Sequence, residues 1–315
     1  MEQRTIRRMT RAGAAAAVVA LASALTTGLL PAASATASTP VASAVDTHPK
    51  GASAIHQIVL QGAVNVRDLG GYRTYDGKHV RYGLVFRADA LNKATDTDVS
   101  TLARLGLREV VDFRVPLELQ YDGPDRLPAG LAPTARPVTD SGLYAQTLTA
   151  IGSRDPATQD AMLGHGRAQA LMRAEYQAFV SDADARARFG ATLKDLAAGE
   201  GPLLFHCTSG KDRTGWESYV LLRALGVPEV AARRDYLASN AFRAGADAEV
   251  RAGLERSGVM RDADLLIPLQ EVRAEYLDAA LRHMAGRYGG LYGYLTRGLG
   301  LSLRDVAALR TRLLA

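Results

Sequence analysis

An α/β fold, with a mainly parallel central sheet flanked by helices, is the architecture this sequence predicts. Short apolar runs of strand length alternate with segments of helical periodicity, the pattern of strand–helix–strand units. The chain has 315 residues, 47% of them hydrophobic, enough to build one core or two small ones. The apolar run Pro202–Phe205 ends in a short polar loop that leads straight into a helical segment, Trp216–Leu225. Such a loop at a strand's carboxyl end is where α/β sheets place their sites.

The elements follow in order. Val64–Gly83 reads as a hairpin-bearing segment, with Asp76-Gly77 suited to a two-residue loop between Tyr72 and Val80. Leu84–Arg87 reads as a strand, and Thr97–Leu105 as a short amphipathic helix capped by Thr95 or Asp96. Glu109–Phe113 and Thr134–Val138 are further strands. Leu143–Gly166 shows no convincing periodicity, and an irregular stretch of that length inside a domain is usually functional or disordered. Helices are expected over Arg167–Val180, Asp184–Leu196 and Glu229–Leu237, the last after a Gly226-Val227-Pro228 stop. Leu269–Met284 reads as one helix, with Leu269, Val272, Tyr276, Ala280 and Met284 on one face. Ser302 caps a final helix through Leu313.

The chemistry is concentrated in His206-Cys207-Thr208-Ser209-Gly210-Lys211-Asp212-Arg213-Thr214-Gly215, which holds the chain's single cysteine. Cys-x₅-Arg between strand and helix suits a loop wrapped around an oxyanion, because unpaired amides and the helix dipole both favour negative charge. Cys207 is expected as a thiolate near neutral pH, since helix N-termini and cations stabilise that form. Arg213 can grip two phosphate oxygens bidentately. Thr208, Ser209, Gly210, Lys211 and Asp212 supply the rest of the cradle, and Gly210 permits a positive φ. Thr214 can donate its hydroxyl to the sulfur, and His206 is expected to orient the cysteine backbone. A nucleotide P-loop is excluded, because Asp212 stands where Ser or Thr must follow the lysine.

This string resembles the signature of the atypical bacterial protein-tyrosine/lipid phosphatase family. Asn65-Val66-Arg67-Asp68-Leu69-Gly70-Gly71, Phe86-Arg87, Asp112-Phe113-Arg114, Asp235–Asn240, Val272–Leu277 and Tyr288-Gly289-Gly290 resemble further segments of that family. The resemblance implies a cysteine-phosphatase fold and phosphomonoester hydrolysis through a cysteinyl-phosphate. It implies phosphotyrosine proteins or phosphoinositides as substrates, sometimes phosphoserine or phosphothreonine, and a mobile helical lid, placed here at residues 143–185. Lys211 adds a second cation at the mouth of the cradle, and the resemblance implies tolerance of polyanionic lipids there. Arg67, Asp68, Asp112 and Arg114 are expected to support the cradle by pairing with its members.

Departure of the ester oxygen needs a proton donor. Asp140 follows a strand and opens a polar loop, at the place where the family carries a Pro-x-Asp-type loop. Asp212 lies in the cradle itself, where Lys211 and Arg213 favour its ionised form and weaken it as an acid. Asp140 is therefore preferred, with Asp212 as the alternative.

The N-terminus carries Arg4, Arg7, Arg8 and Arg11, then the uncharged apolar run Ala12–Leu30, then small-x-small sites at Ala33-Ser34-Ala35 and Ala35-Thr36-Ala37. These are the three parts of a signal peptide, assigned to residues 1–37, so the protein is expected to be secreted with no stable membrane span after cleavage. Residues 38–54 read as a flexible mature N-terminus and 55–315 as the folded domain. Residues 1–35 hold four Arg and one Glu, so their loss lowers the formal charge from +5 to +2. That balance, without basic stripes or interleaved aromatics, gives no support to a nucleic-acid partner. One cysteine allows no internal disulfide, and no His or Cys spacing marks a metal site, so no cofactor is expected.

Overall fold

The computed structural model describes residues 55–315 other than Glu200, so the leader and residues 38–54 lie outside the described residues. Six strands form one mixed sheet: β1 (His56–Gln57), β2 (Arg67–Asp68), β3 (Val85–Ala88), β4 (Glu109–Asp112), β5 (Pro133–Ala135) and β6 (Leu203–His206). Their spatial order is β1-β2-β3-β6-β4-β5. The four strands from β3 to β5 run parallel, and β1 and β2 add an antiparallel edge. The expected parallel strands are all present, their ends within three residues of expectation.

Alternation along the strands assigns each side chain to a face. Val85, Val111, Leu203 and Phe205 enter the large cluster on one face, whereas Phe86, Val110 and Leu204 enter a smaller one on the other. Both faces are thus covered, as parallel sheets require. Each fully buried side chain of this size contributes roughly 1.5–3 kcal/mol.

The helices are α1 (Asp96–Arg104), α2 (Pro116–Asp122), α3 (Leu143–Ser153), α4 (Pro156–Leu163), α5 (Arg167–Ser181), α6 (Ala183–Ala198), α7 (Arg213–Ala224), α8 (Glu229–Arg256), a short α9 (Ile267–Gln270), α10 (Ala274–Tyr288), a short α11 (Leu291–Gly293) and α12 (Leu303–Leu313). Thr95 caps α1 through a reciprocal capping box with Asp98, and Ser302 does the same for α12 with Asp305.

Four local expectations are corrected. The Asp76-Gly77 turn spans three residues, not two: Thr74 N–H bonds the Lys78 carbonyl, and Gly77 takes φ +83° at the left-handed position. Residues 143–166 hold two helices, α3 and α4, rather than an irregular stretch. Leu143 of α3 packs against the large cluster while Ala150 and Ile151 pack in a separate one with Leu163, Leu254 and Leu266, so apolar residues point two ways and no single stripe appears. By contrast α5, within the 143–185 stretch, sends Met172, Tyr176, Phe179 and Val180 into the large cluster. Helix α8 runs far beyond Leu237, to Arg256; past Leu237 it buries Ser239, Asp247, Gly253 and Leu254, so no apolar stripe marks the continuation in the sequence. The expected single helix from Leu269 is broken between α9 and α10. The Asn240 amide holds both the Val272 N–H and its carbonyl, at 2.8 Å each, between the extended residues Glu271 and Arg273.

Glu217, on the second turn of α7, is fully buried, and neither carboxyl oxygen has a hydrogen-bond partner among the described residues. Burial pushes its carboxyl well above the usual range, opposed only by the distant charge of Arg136. A folded-state value above the unfolded one adds stability at low pH that is lost as pH rises. Glu217→Gln removes the ionisation. It should raise the melting temperature at pH 8 by about 2–4 °C, the shift that 1 kcal/mol gives in a domain of this size. Thermal melts at pH 5 and 8 check this: the gain must shrink at pH 5.

Candidate active site

The loop after β6 is shaped by where its carbonyls go. Thr208 O accepts from the Ala90 N–H at 3.1 Å. Ser209 O accepts from Asn65 Nδ2 at 3.1 Å and from Arg243 Nη1 at 3.3 Å. Gly210 O accepts from Arg87 Nη2 at 2.6 Å. Three consecutive carbonyls are held outward. In trans peptides the following N–H points the opposite way, so the amides of Ser209, Gly210 and Lys211 face the inside of the ring. Gly210 has φ +63°, and a Cβ there would lie 2.4 Å from the Ala88 carbonyl oxygen. No other residue fits that position.

Cys207 is buried at the floor of a cavity of about 280 Å³. Thr208, Ser209, Lys211, Asp212 and Arg213 line the same cavity, with Leu143, Tyr144, Ile151, Leu266 and Leu269 on its apolar upper wall. The Arg213 guanidinium is gripped by Glu118, with Nη1 to Oε2 at 2.6 Å and Nη2 to Oε1. Its Nη1 also donates to the Phe113 carbonyl at 3.2 Å, and among the described residues its Nε has no partner. Burial opposes charge on Arg213, but the adjacent Glu118 and the nearby Cys207 sulfur hold it well above its ordinary range. Burial likewise pushes the Glu118 carboxyl up, but the Arg213 charge and the hydrogen bonds from Arg213, Thr208 and Val115 bring it below its ordinary value.

Glu118 was not anticipated from the sequence. It sits three residues past Val115 at the start of α2, after Pro116, and accepts the Val115 N–H at 2.7 Å. Pro-x-Glu opening a helix after a strand is its only local signal. Asp235 was noted only within a segment and proves central. Its carboxylate bonds Arg67 Nε at 2.9 Å and Arg87 Nη1 at 2.6 Å, all three side chains being fully buried. Burial alone would raise the Asp235 carboxyl, but the two arginines hold it down to about 2.

The remaining expected residues take varied places. His206 lies behind the loop, with Nδ1 3.3 Å from the Cys207 carbonyl and Nε2 3.0 Å from Asp125. Burial disfavours its charge, but Asp125 and then Asp112 raise its pKa. Asp112, Asp125 and His206 are spaced for a metal ion, yet the Arg114 guanidinium already lies among them, 2.8 Å from Asp112 and 3.0 Å from Asp125. Arg67 reaches the loop through Asn65 and Asp235. Asp68 does not support the cradle. It accepts from the Gly70 and Gly83 amides instead, because adjacent residues on β2 point to opposite faces. Thr214 Oγ1 is buried with no hydrogen-bond partner among the described residues.

Lys211 is not a free cation at the mouth. It is 2% exposed and folds back, with Nζ 2.7 Å from Asp212 Oδ2 and 3.4 Å from the Glu271 carbonyl. A desolvated ammonium needs such partners. The other Asp212 oxygen accepts from the Tyr176 hydroxyl at 3.0 Å. Asp140 lines the cavity, and its two carboxylate oxygens accept the Gly142 N–H at 3.0 Å and the Tyr144 N–H at 2.8 Å.

The clamp on Arg213 is testable. Glu118→Gln keeps the shape but leaves a buried guanidinium without its counter-charge, a type of loss that costs about 3–5 kcal/mol. Calorimetry with inorganic phosphate should show binding weakened at least tenfold, together with a lower melting temperature. Unchanged affinity would mean that Glu118 does not set the guanidinium.

Comparison with known proteins shows the family to which the chain belongs. A relative from Cupriavidus necator, whose name marks its tyrosine-protein phosphatase activity as provisional, is 35% identical over 264 residues, covering 82% of this chain and 89% of the relative. The triple specificity protein phosphatase PtpB of Mycobacterium tuberculosis is 31% identical over 280 residues, covering 81% of this chain and 98% of its own. A tyrosine-protein phosphatase of Nostoc commune is 29% identical over 240 residues, 72% of this chain and 73% of its own. The model of the tyrosine phosphatase family matches residues 58–315, nearly the whole of the described fold, and the chain belongs to that family.

Proposed function

We propose that this protein is an exported phosphatase that hydrolyses phosphotyrosine through a cysteinyl-phosphate on Cys207. One observation carries the reading: a buried cysteine lies beneath a ring of inward amides, with the clamped Arg213 at its rim. The thiolate attacks phosphorus in line while the amides and the free Arg213 Nε take the equatorial oxygens. These donors stand in place before the substrate arrives, so little reorganisation is needed as charge develops. Water then attacks phosphorus and releases the thiolate.

The volume of the cavity and its apolar lining by Leu143, Ile151, Leu266 and Leu269 suit the ring of an aryl phosphate. A lipid-directed reading drew on Lys211 as a free cation, and that lysine is already engaged by Asp212. The name of the mycobacterial relative speaks of three specificities, which keeps phosphoserine and phosphothreonine within this reading. The charged leader and its apolar run support export, and no described helix is long and apolar enough to cross a membrane.

Acid quench of the wild-type protein with ³²P-labelled phosphotyrosine peptide should trap label on Cys207. Cys207→Ser should abolish both label and turnover while inorganic phosphate still binds. EDTA should leave the rate intact, and inositol phospholipids should turn over more slowly than the peptide. The protein recovered from culture medium should begin just after Ala35 or Ala37 by mass spectrometry. Turnover without label on sulfur would sink the mechanism, and an intact leader on recovered protein would sink the export reading.

A further inference from the structure

Five carboxylates line the cavity: Glu118, Asp140, Glu175, Asp212 and Asp247. Four are engaged on both oxygens or paired with a cation. Glu118 grips Arg213, and Asp140 accepts two backbone amides. Asp212 is held by Tyr176 and Lys211, and Asp247 pairs with Arg243 Nη2 at 2.6 Å. Glu175 differs. It is 2% exposed, and its Oε2 is buried without a hydrogen-bond partner among the described residues. It stands on the apolar stripe of α5, between Met172 and Tyr176, where a carboxyl is out of place for packing alone.

We propose that Glu175 is the proton donor to the leaving oxygen, a role that neither Asp140 nor Asp212 is free to fill. The assignment rests on the phosphatase reading above. Burial, followed by the charge of Asp212, keeps the Glu175 carboxyl well above its ordinary range, against Arg213 and Lys211 and with Asp140. The titratable groups that line the cavity with it are Cys207, Lys211, Asp212 and Arg213 from the loop and the start of α7, Asp140 from the turn before α3, Tyr144 from α3, Glu118 from α2, and Arg243 and Asp247 from α8. A protonated carboxyl in this position can meet an ester oxygen as it departs. Sulfur–phosphorus bonding forms as the phosphorus–oxygen ester bond breaks. The electron pair of that bond takes the Glu175 proton and the alcohol leaves. In the second step water gives a proton back to the Glu175 carboxylate, its oxygen bonds phosphorus, and the sulfur departs as thiolate.

The test is leaving-group dependence. Phenyl phosphate, whose phenoxide is a poor leaving group, is compared with p-nitrophenyl phosphate, whose leaving group needs little help. With Glu175→Gln, kcat/KM on phenyl phosphate, which reports the first step without hydrolysis of the cysteinyl-phosphate, should fall about 10²-fold or more, the usual contribution of a general acid. On p-nitrophenyl phosphate it should fall less than about tenfold, and the alkaline limb of the phenyl phosphate profile should disappear. Glu175→Asp should be slower than wild type but keep that limb. Asp140→Asn and Asp212→Asn should show no such split between substrates. Equal losses on both substrates, a retained limb in Glu175→Gln, or loss of vanadate binding by both Glu175 variants would overturn the assignment. So would the split appearing in an aspartate variant instead. Failure of the wild type to label Cys207 would reject the phosphatase reading itself, a separate result from these.

Discussion

The pairing of Asp235 with Arg67 and Arg87 is the interaction on which the site depends. Three ionised groups are taken fully out of water, one negative and two positive. Such burial is tolerable only when every partner is in place. Arg87 donates from Nη2 to the Gly210 carbonyl, and Arg67 donates from Nη1 to Asn65 Oδ1. Asn65 in turn holds the Ser209 carbonyl. One carboxylate on α8 therefore fixes two arginines from neighbouring strands, and these fix the outward turn of the loop. The excess positive charge under the loop adds to the inward amide dipoles, so burial of the ion cluster and attraction for an oxyanion share one cause.

The cost of this arrangement falls on glycine and on packing. Gly210 must approach the Ala88 carbonyl more closely than any side chain allows, because β3 and β6 are adjacent parallel strands and the loop folds back over the end of β3. The sheet order thus decides which backbone the loop meets. Behind it, the cluster of Asp112, Arg114, Asp125 and His206 ties β4 to the residue preceding the cysteine. The loop is gripped from three elements at once, which is the rigidity that electrostatic preorganisation needs.

Much of this was legible because the cradle is contiguous. Strand, loop and helix follow one another in sequence, so Cys207, Gly210 and Arg213 are found by spacing alone. The parallel strands were legible for the same reason, since their apolar runs are short and bounded. What was missed comes from far along the chain. Glu118 lies 95 residues from Arg213, and Asp235 lies 168 from Arg67 and 148 from Arg87. Glutamate and aspartate are common on helices, and nothing local separates a buried partner from a solvated one. Asp68 misled because it adjoins Arg67, although strand alternation sends the two apart. Lys211 misled because a lysine in a polar loop reads as solvated, whereas here the next residue, Asp212, draws it inward. Helix α3 escaped because it divides its apolar residues between the large cluster and a small separate one.

The charge balance of the cavity explains why one carboxyl stands apart. Each cation has a carboxylate to itself: Arg213 has Glu118, Lys211 has Asp212, and Arg243 has Asp247. Among the described residues no cation lining the cavity is without a carboxylate, and a phosphate ester brings two negative charges over a thiolate. Backbone amides and the Arg213 Nε can answer that charge, but an ionised Glu175 beside it would add repulsion that Arg213 and Lys211, each already paired with a carboxylate, offset only in part. Like charges crowded into one site keep a proton on the weakest-held carboxyl. Arrival of the substrate therefore strengthens the hold of Glu175 on its proton, and departure of the ester oxygen, which carries the new negative charge, supplies the place for that proton to go.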